Sequence, residues 1–66
     1  MNYVILEQQT TNGSTAVVTP ETYDSLIQAE AAFLQKAAYA RLSGLDCHSV
    51  ALIDQEGKLI ARKSFQ

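Results

Sequence analysis

Residues 25–44 read SLIQAEAAFLQKAAYARLSG, and the reading of this stretch decides the fold. Ser25 with Gln28 has the spacing of a capping box, and Ser43-Gly44 supplies a stop with glycine at the C′ position, so the pattern predicts one helix from Leu26 to Leu42. Its composition is strongly helix-forming. Asp24, just before the cap, suits the positive end of that helix. Placed at roughly 100° per residue, the apolar positions fall into two stripes rather than one. The first holds Leu26, Ala29, Phe33, Ala37 and Ala40, and the second Ile27, Ala31, Leu34, Ala38 and Leu42, with Glu30 and Arg41 between them. A helix lying on a small sheet needs a single apolar stripe, so two predict burial on two sides.

Upstream, YVILEQQTT at residues 3–11 and STAVVT at residues 14–19 flank Asn12-Gly13. Both central residues of a type I′ turn need positive φ, which makes Asn-Gly between two β-rich runs a strong hairpin signal. A two-residue loop sets Thr11 opposite Ser14, Gln8 opposite Val17 and Leu6 opposite Thr19, with Pro20 ending the strand. One face of the hairpin then carries Val4, Leu6, Gln8 and Val17, and the other Tyr3, Ile5, Glu7, Ala16 and Val18. Both are half apolar.

Downstream, CHSVALIDQEGKLIARKSFQ at residues 47–66 reads as a second hairpin around Asp54-Gln55-Glu56-Gly57, with Gly57 in the left-handed position of a G1 bulge. That register sets Ile53 against Leu59 and Ala51 against Ala61. Cys47, Ala51, Ile53, Leu59, Ala61 and Phe65 then share the more apolar face, opposite His48, Val50, Leu52, Ile60, Arg62 and Ser64. The chain therefore reads as a single α+β domain over residues 1–66, ββαββ, two antiparallel β-hairpins flanking one long Ala-rich helix.

Sixty-six residues, 47% of them apolar, make a thin core, because nine of those apolar residues are alanine. Short chains commonly compensate with disulfides, a metal or oligomerisation. One Cys excludes an internal disulfide, and one Cys with one His falls short of a structural zinc set, so no metal or cofactor is expected and homo-oligomerisation is the expected remedy. A net charge of −2 argues against binding extended nucleic acid. No apolar run is long enough to span a membrane, and MNYVILEQQ has no basic residue before its apolar stretch, so neither anchor nor signal peptide is expected and the cytoplasm is the expected compartment.

Cys47-His48 pairs a nucleophile with a base, but strand neighbours point to opposite faces, so no catalytic dyad is expected there and the chain is not expected to be an enzyme. Glu21 and Asp24 are assigned to the helix start, Asp54 and Glu56 to the turn, and Glu30 to an ion pair with Arg41 or with a lysine of another subunit, or to solvent. All five bases, Lys36, Arg41, Lys58, Arg62 and Lys63, lie in the second half of the chain. Gathered by symmetry, such bases make an anion site that a monomer lacks. His48 reads as a structural hydrogen-bonding residue or as a ligand or subunit contact; the expected ligand contacts are Arg41, Arg62 and Lys63 for anionic groups, Tyr39 for stacking and His48 for a hydrogen bond.

The order Leu26, Ala29-Glu30, Phe33, the alanine-rich helix end, His48-Ser49, Glu56-Gly57 and Phe65 resembles a group of very short proteins from gut Clostridia and their phages, over nearly the whole chain. The resemblance implies a phage setting, in which small oligomers disable host defence, including sponges that sequester cyclic nucleotide signals at subunit interfaces; its compartment would be the host cytoplasm. Two functions follow as expectations. The first is a non-catalytic homo-oligomer capturing a small anionic nucleotide; the second is a protein-interaction module that blocks or adapts a host protein through a strand edge or the acidic N-terminal half.

Overall fold

The computed structural model describes residues 2–44 and 47–65. Strands β1 (Tyr3–Thr11) and β2 (Ser14–Tyr23) precede helix α1 (Leu26–Leu42), and β3 (Cys47–Asp54) and β4 (Leu59–Phe65) follow it. The strands form one antiparallel sheet in the order β2-β1-β3-β4, so the fold is α+β with the expected ββαββ order. The two hairpins lie side by side, with β1 and β3 central and β2 and β4 at the edges.

The local signals act as the sequence suggests. Asn12 and Gly13 both take positive φ, at 53° and 80°, as a type I′ turn requires. Ser25 caps the helix, its Oγ accepting the Gln28 backbone N–H at 3.4 Å. At the second turn the Gly57 N–H donates to the Asp54 carbonyl at 3.0 Å, and Asp54 Oδ1 accepts from the Glu56 and Lys58 amides, both at 2.9 Å.

Two bulges depart from the expected registers. Pro20 does not end β2, which runs on to Tyr23. Thr11 does oppose Ser14 and Gln8 does oppose Val17, but between the Ile5–Glu21 and Glu7–Val18 pairs the register shifts, and Leu6 stands against both Thr19 and Pro20. An edge strand tolerates proline at a bulge because the missing N–H interrupts no essential ladder bond. The second bulge lies in β4. Ile53 opposes Leu59 as expected, but Leu52 opposes Ala61 and Ala51 opposes Arg62, leaving Ile60 as the extra residue. A one-residue slip exchanges the faces of everything beyond it. Ala61, Lys63 and Phe65 therefore lie on the side of Leu52, Val50 and His48, while Arg62 and Ser64 lie on the side of Ala51 and Ser49, which corrects the expected faces of this hairpin.

The helix meets the sheet through its first stripe. Ala29, Phe33, Ala37 and Ala40 are buried, as are Ile5 of β1 and Val50 and Leu52 of β3. Tyr3, Tyr23, Ala32, Ala61 and Phe65 pack around this cluster. Alanine at three of the four helix contacts lets the helix axis settle close to the sheet, and Phe33 fills the space that remains. The second stripe faces away: Ile27, Leu34 and Leu42 are 81, 61 and 82% exposed.

A core this small depends on its one large helical side chain. Phe33→Ala should cost about 3–5 kcal/mol in urea unfolding, enough to leave the chain largely unfolded, whereas Ile27→Ala should cost below about 1 kcal/mol in the isolated chain.

Candidate functional site

Polar side chains line the helix-covered face beside the apolar cluster. Glu7 of β1 points toward the helix, as Ile5 does two residues earlier, and its carboxylate is the centre of a chain of charges. His48, on β3, is only 4% exposed, and its Nε2 lies 2.6 Å from Glu7 Oε2. Gln9 Nε2 donates to the same oxygen at 3.4 Å. Lys36 reaches down from the helix, its Nζ 3.6 Å from Glu7 Oε1 and 2.8 Å from Glu21 Oε2. The Tyr23 hydroxyl donates to Glu21 Oε1 at 2.6 Å. At the other end His48 Nδ1 lies 3.2 Å from Ser43 Oγ, and that hydroxyl donates to the Ala40 carbonyl at 2.8 Å. The chain therefore runs Ser43, His48, Glu7, Lys36, Glu21, Tyr23 and ties the helix to β1, β2 and β3.

The electrostatics follow from these contacts. The Lys36 ammonium beside Glu21, with help from the Tyr23 hydroxyl, holds the Glu21 carboxyl below its ordinary range. The same bond raises Lys36, and the Glu21 carboxylate raises the Tyr23 hydroxyl. Glu21 thus stabilises the fold at and above the ordinary carboxyl range, and this is lost as pH falls through its depressed value. Lys36 and Tyr23 stabilise it below their ordinary alkaline values, and that is lost as pH rises through the raised ones.

Ser43, His48 and Glu7 are the residue types of a hydrolytic triad, and here they form a hydrogen-bonded row from the helix end to β1. Ser43 is the C-cap of α1, and its hydroxyl and backbone N–H both donate to the Ala40 carbonyl at the negative end of the helix. What the arrangement does is fasten the helix end to the sheet through a buried imidazole.

The opposite face of the sheet has no helix. Here Leu6, Gln8, Val17, Ser49, Ala51 and Arg62, with Glu7 contributing at the edge, line an open depression of about 380 Å³. Leu6, Val17 and Ala51 are its aliphatic walls, and a guanidinium, an amide, a hydroxyl and, at the edge, Glu7 bring polar groups to it. Among the described residues no carboxylate pairs with Arg62.

The five expected ligand residues do not meet in one chain. Arg62 borders the depression. Lys63, its neighbour on β4, lies on the helix side of that edge strand. Tyr39 is 63% exposed on the outer surface of the helix, and Arg41 is exposed there too. His48 is buried under the helix, on the face opposite Arg62 and not beside it as expected; the β4 bulge at Ile60 is the reason. Gln8 and Ser49 join Arg62 without having been singled out by sequence. Glu21, expected at the helix start, instead forms an ion pair with Lys36, and Glu30 has no ion-pair partner among the described residues. Glu7 carried one usable signal, a carboxylate on the inward side of an alternating strand, which demands a buried partner.

Removing the carboxylate leaves the buried imidazole without its strongest partner, so Glu7→Ala should cost about 1–3 kcal/mol in urea unfolding, against at most about 0.5 for Glu30→Ala. The acid limb of stability against pH should be shallower in Lys36→Met than in the wild type, because Glu21 then titrates nearer its ordinary range. Comparison with protein-family models, curated proteins and solved structures found no match to this chain.

Proposed function

We propose that the protein is a non-catalytic homo-oligomeric binding protein that takes up a small anionic ligand on its uncovered sheet face. The observation that carries this reading is the distribution of large apolar side chains. Among the described residues four are buried, Ile5, Phe33, Val50 and Leu52, while eight are exposed, Val17, Leu26, Ile27, Leu34, Tyr39, Leu42, Leu59 and Ile60. Scattered exposed aliphatics are ordinary, but here they outnumber the core and concentrate on one helix stripe and the sheet. A second copy is the simplest cover for surface that recurs on every molecule.

The depression on the sheet supports an anionic ligand with an apolar part. Arg62 offers a planar donor fork with no ion-pair partner among the described residues, and Gln8 and Ser49 add hydrogen-bonding groups beside the aliphatic Leu6, Val17 and Ala51. Phosphate with a base or sugar attached fits that description, which agrees with the nucleotide-sequestering role that the resemblance to the phage proteins implies.

Calorimetry with cyclic nucleotides and cyclic ADP-ribose isomers tests this reading. Binding of one of them should weaken roughly tenfold or more in Arg62→Ala, the worth of a charge-assisted hydrogen bond. Binding of none, or binding indifferent to Arg62, overturns the ligand assignment. Native mass spectrometry of the wild type should show two or more times the 7.2 kDa chain mass; a monomer at every concentration overturns the oligomer.

A further inference from the structure

We infer that two copies pair through the outer stripe of α1, antiparallel, with Glu30 of each bridged to Arg41 of the other. This rests on the oligomeric reading above and names the surface and geometry it uses. The stripe consists of Ile27, Ala31, Leu34, Ala38 and Leu42, all exposed. Its spacing is nearly palindromic. Reversed about the Leu34–Gln35 peptide, Ile27 falls opposite the partner's Leu42 and Ala31 opposite the partner's Ala38, while the two Leu34 side chains meet at the symmetry axis. Small residues on both sides of the centre let the backbones approach, to about 8 Å between axes, and the large residues close the two ends. An isologous contact needs such a self-complementary patch.

Charge selects the direction. Glu30 and Arg41 lie on the same flank of the stripe, near opposite ends of the helix, and neither has an ion-pair partner among the described residues of its own chain. A two-fold axis across antiparallel helices brings each flank against its own copy with the ends exchanged. Glu30 then lies within two residues of register with the partner's Arg41, an axial offset of about 3 Å that both side chains span easily. The contact is made twice. Parallel pairing instead sets a flank against the opposite one and leaves both charges unmatched. No charged residue interrupts the stripe itself, since Lys36 turns inward to Glu7 and Glu21. Pairing through the helix also leaves the depression at Arg62, on the far side of the sheet, open to its ligand.

Cysteine scanning in a Cys47→Ser background tests the geometry, read by non-reducing electrophoresis and by sedimentation equilibrium. Leu34→Cys, at the axis, should oxidise to a covalent dimer. Ile27→Cys should not, because the two copies of that residue are roughly 22 Å apart along an antiparallel pair. Cross-linking at residue 27 but not 34 overturns the antiparallel arrangement. Glu30→Arg should weaken dimerisation roughly tenfold at low salt, and adding Arg41→Glu should restore it. The helix content of each variant, followed by circular dichroism, separates unfolding from dissociation. A monomeric wild type overturns the oligomeric reading and this inference together. A wild-type oligomer whose dissociation constant ignores both Leu34→Glu and Glu30→Arg overturns the helix pairing alone.

Discussion

One helix must cover four strands, and it cannot. The helix lies over the central pair, where Ile5, Val50 and Leu52 are sealed by Phe33 and a row of alanines, and the edge strands keep mostly exposed side chains. The far face of the sheet is left bare. Every other feature of the molecule responds to this limit. Close packing against alanine makes a compact but small core, and a small core leaves a short chain dependent on additional ties.

One of those ties is polar. Near its C-terminal end the helix meets the sheet through Ser43, His48, Glu7 and Lys36. Buried polar groups weaken a fold when unpaired and specify it when paired. Here each side chain of the chain from Ser43 to Tyr23 has a partner, so the network fixes where the helix end sits. It also consumes the histidine and the one lysine of the helix. These contacts hold the helix to the sheet, and the other bases, Arg41, Lys58, Arg62 and Lys63, are exposed.

Local signals in the sequence were enough for the elements. The Asn12-Gly13 turn, the Ser25 cap and the Ser43-Gly44 stop each act through neighbours a few residues away, and the elements fall in the expected order, with β2 alone running on past Pro20 to Tyr23. The two-stripe pattern of the helix was equally legible, although only the structure tells which stripe meets the sheet. What the sequence concealed depends on non-local geometry. The bulges opposite Leu6 and at Ile60 follow from fitting strands to one another; Pro20 within an edge strand marks the first, and no local pattern announces the second. Because each shifts one residue, the second separates His48 from Arg62 and divides a site that the unbulged register would have united. Glu7 and His48, distant in sequence, meet only because β1 and β3 become neighbours.

The central claim is that the uncovered apolar surface is an assembly surface, and small-angle scattering addresses it most directly. The isolated chain measures 37 × 19 × 16 Å, with a Cα radius of gyration of 11.7 Å. The account predicts a forward scattering of at least two chains, and a radius of gyration clearly above that value, holding steady upon dilution through the micromolar range. Scattering that matches the single chain throughout would contradict it.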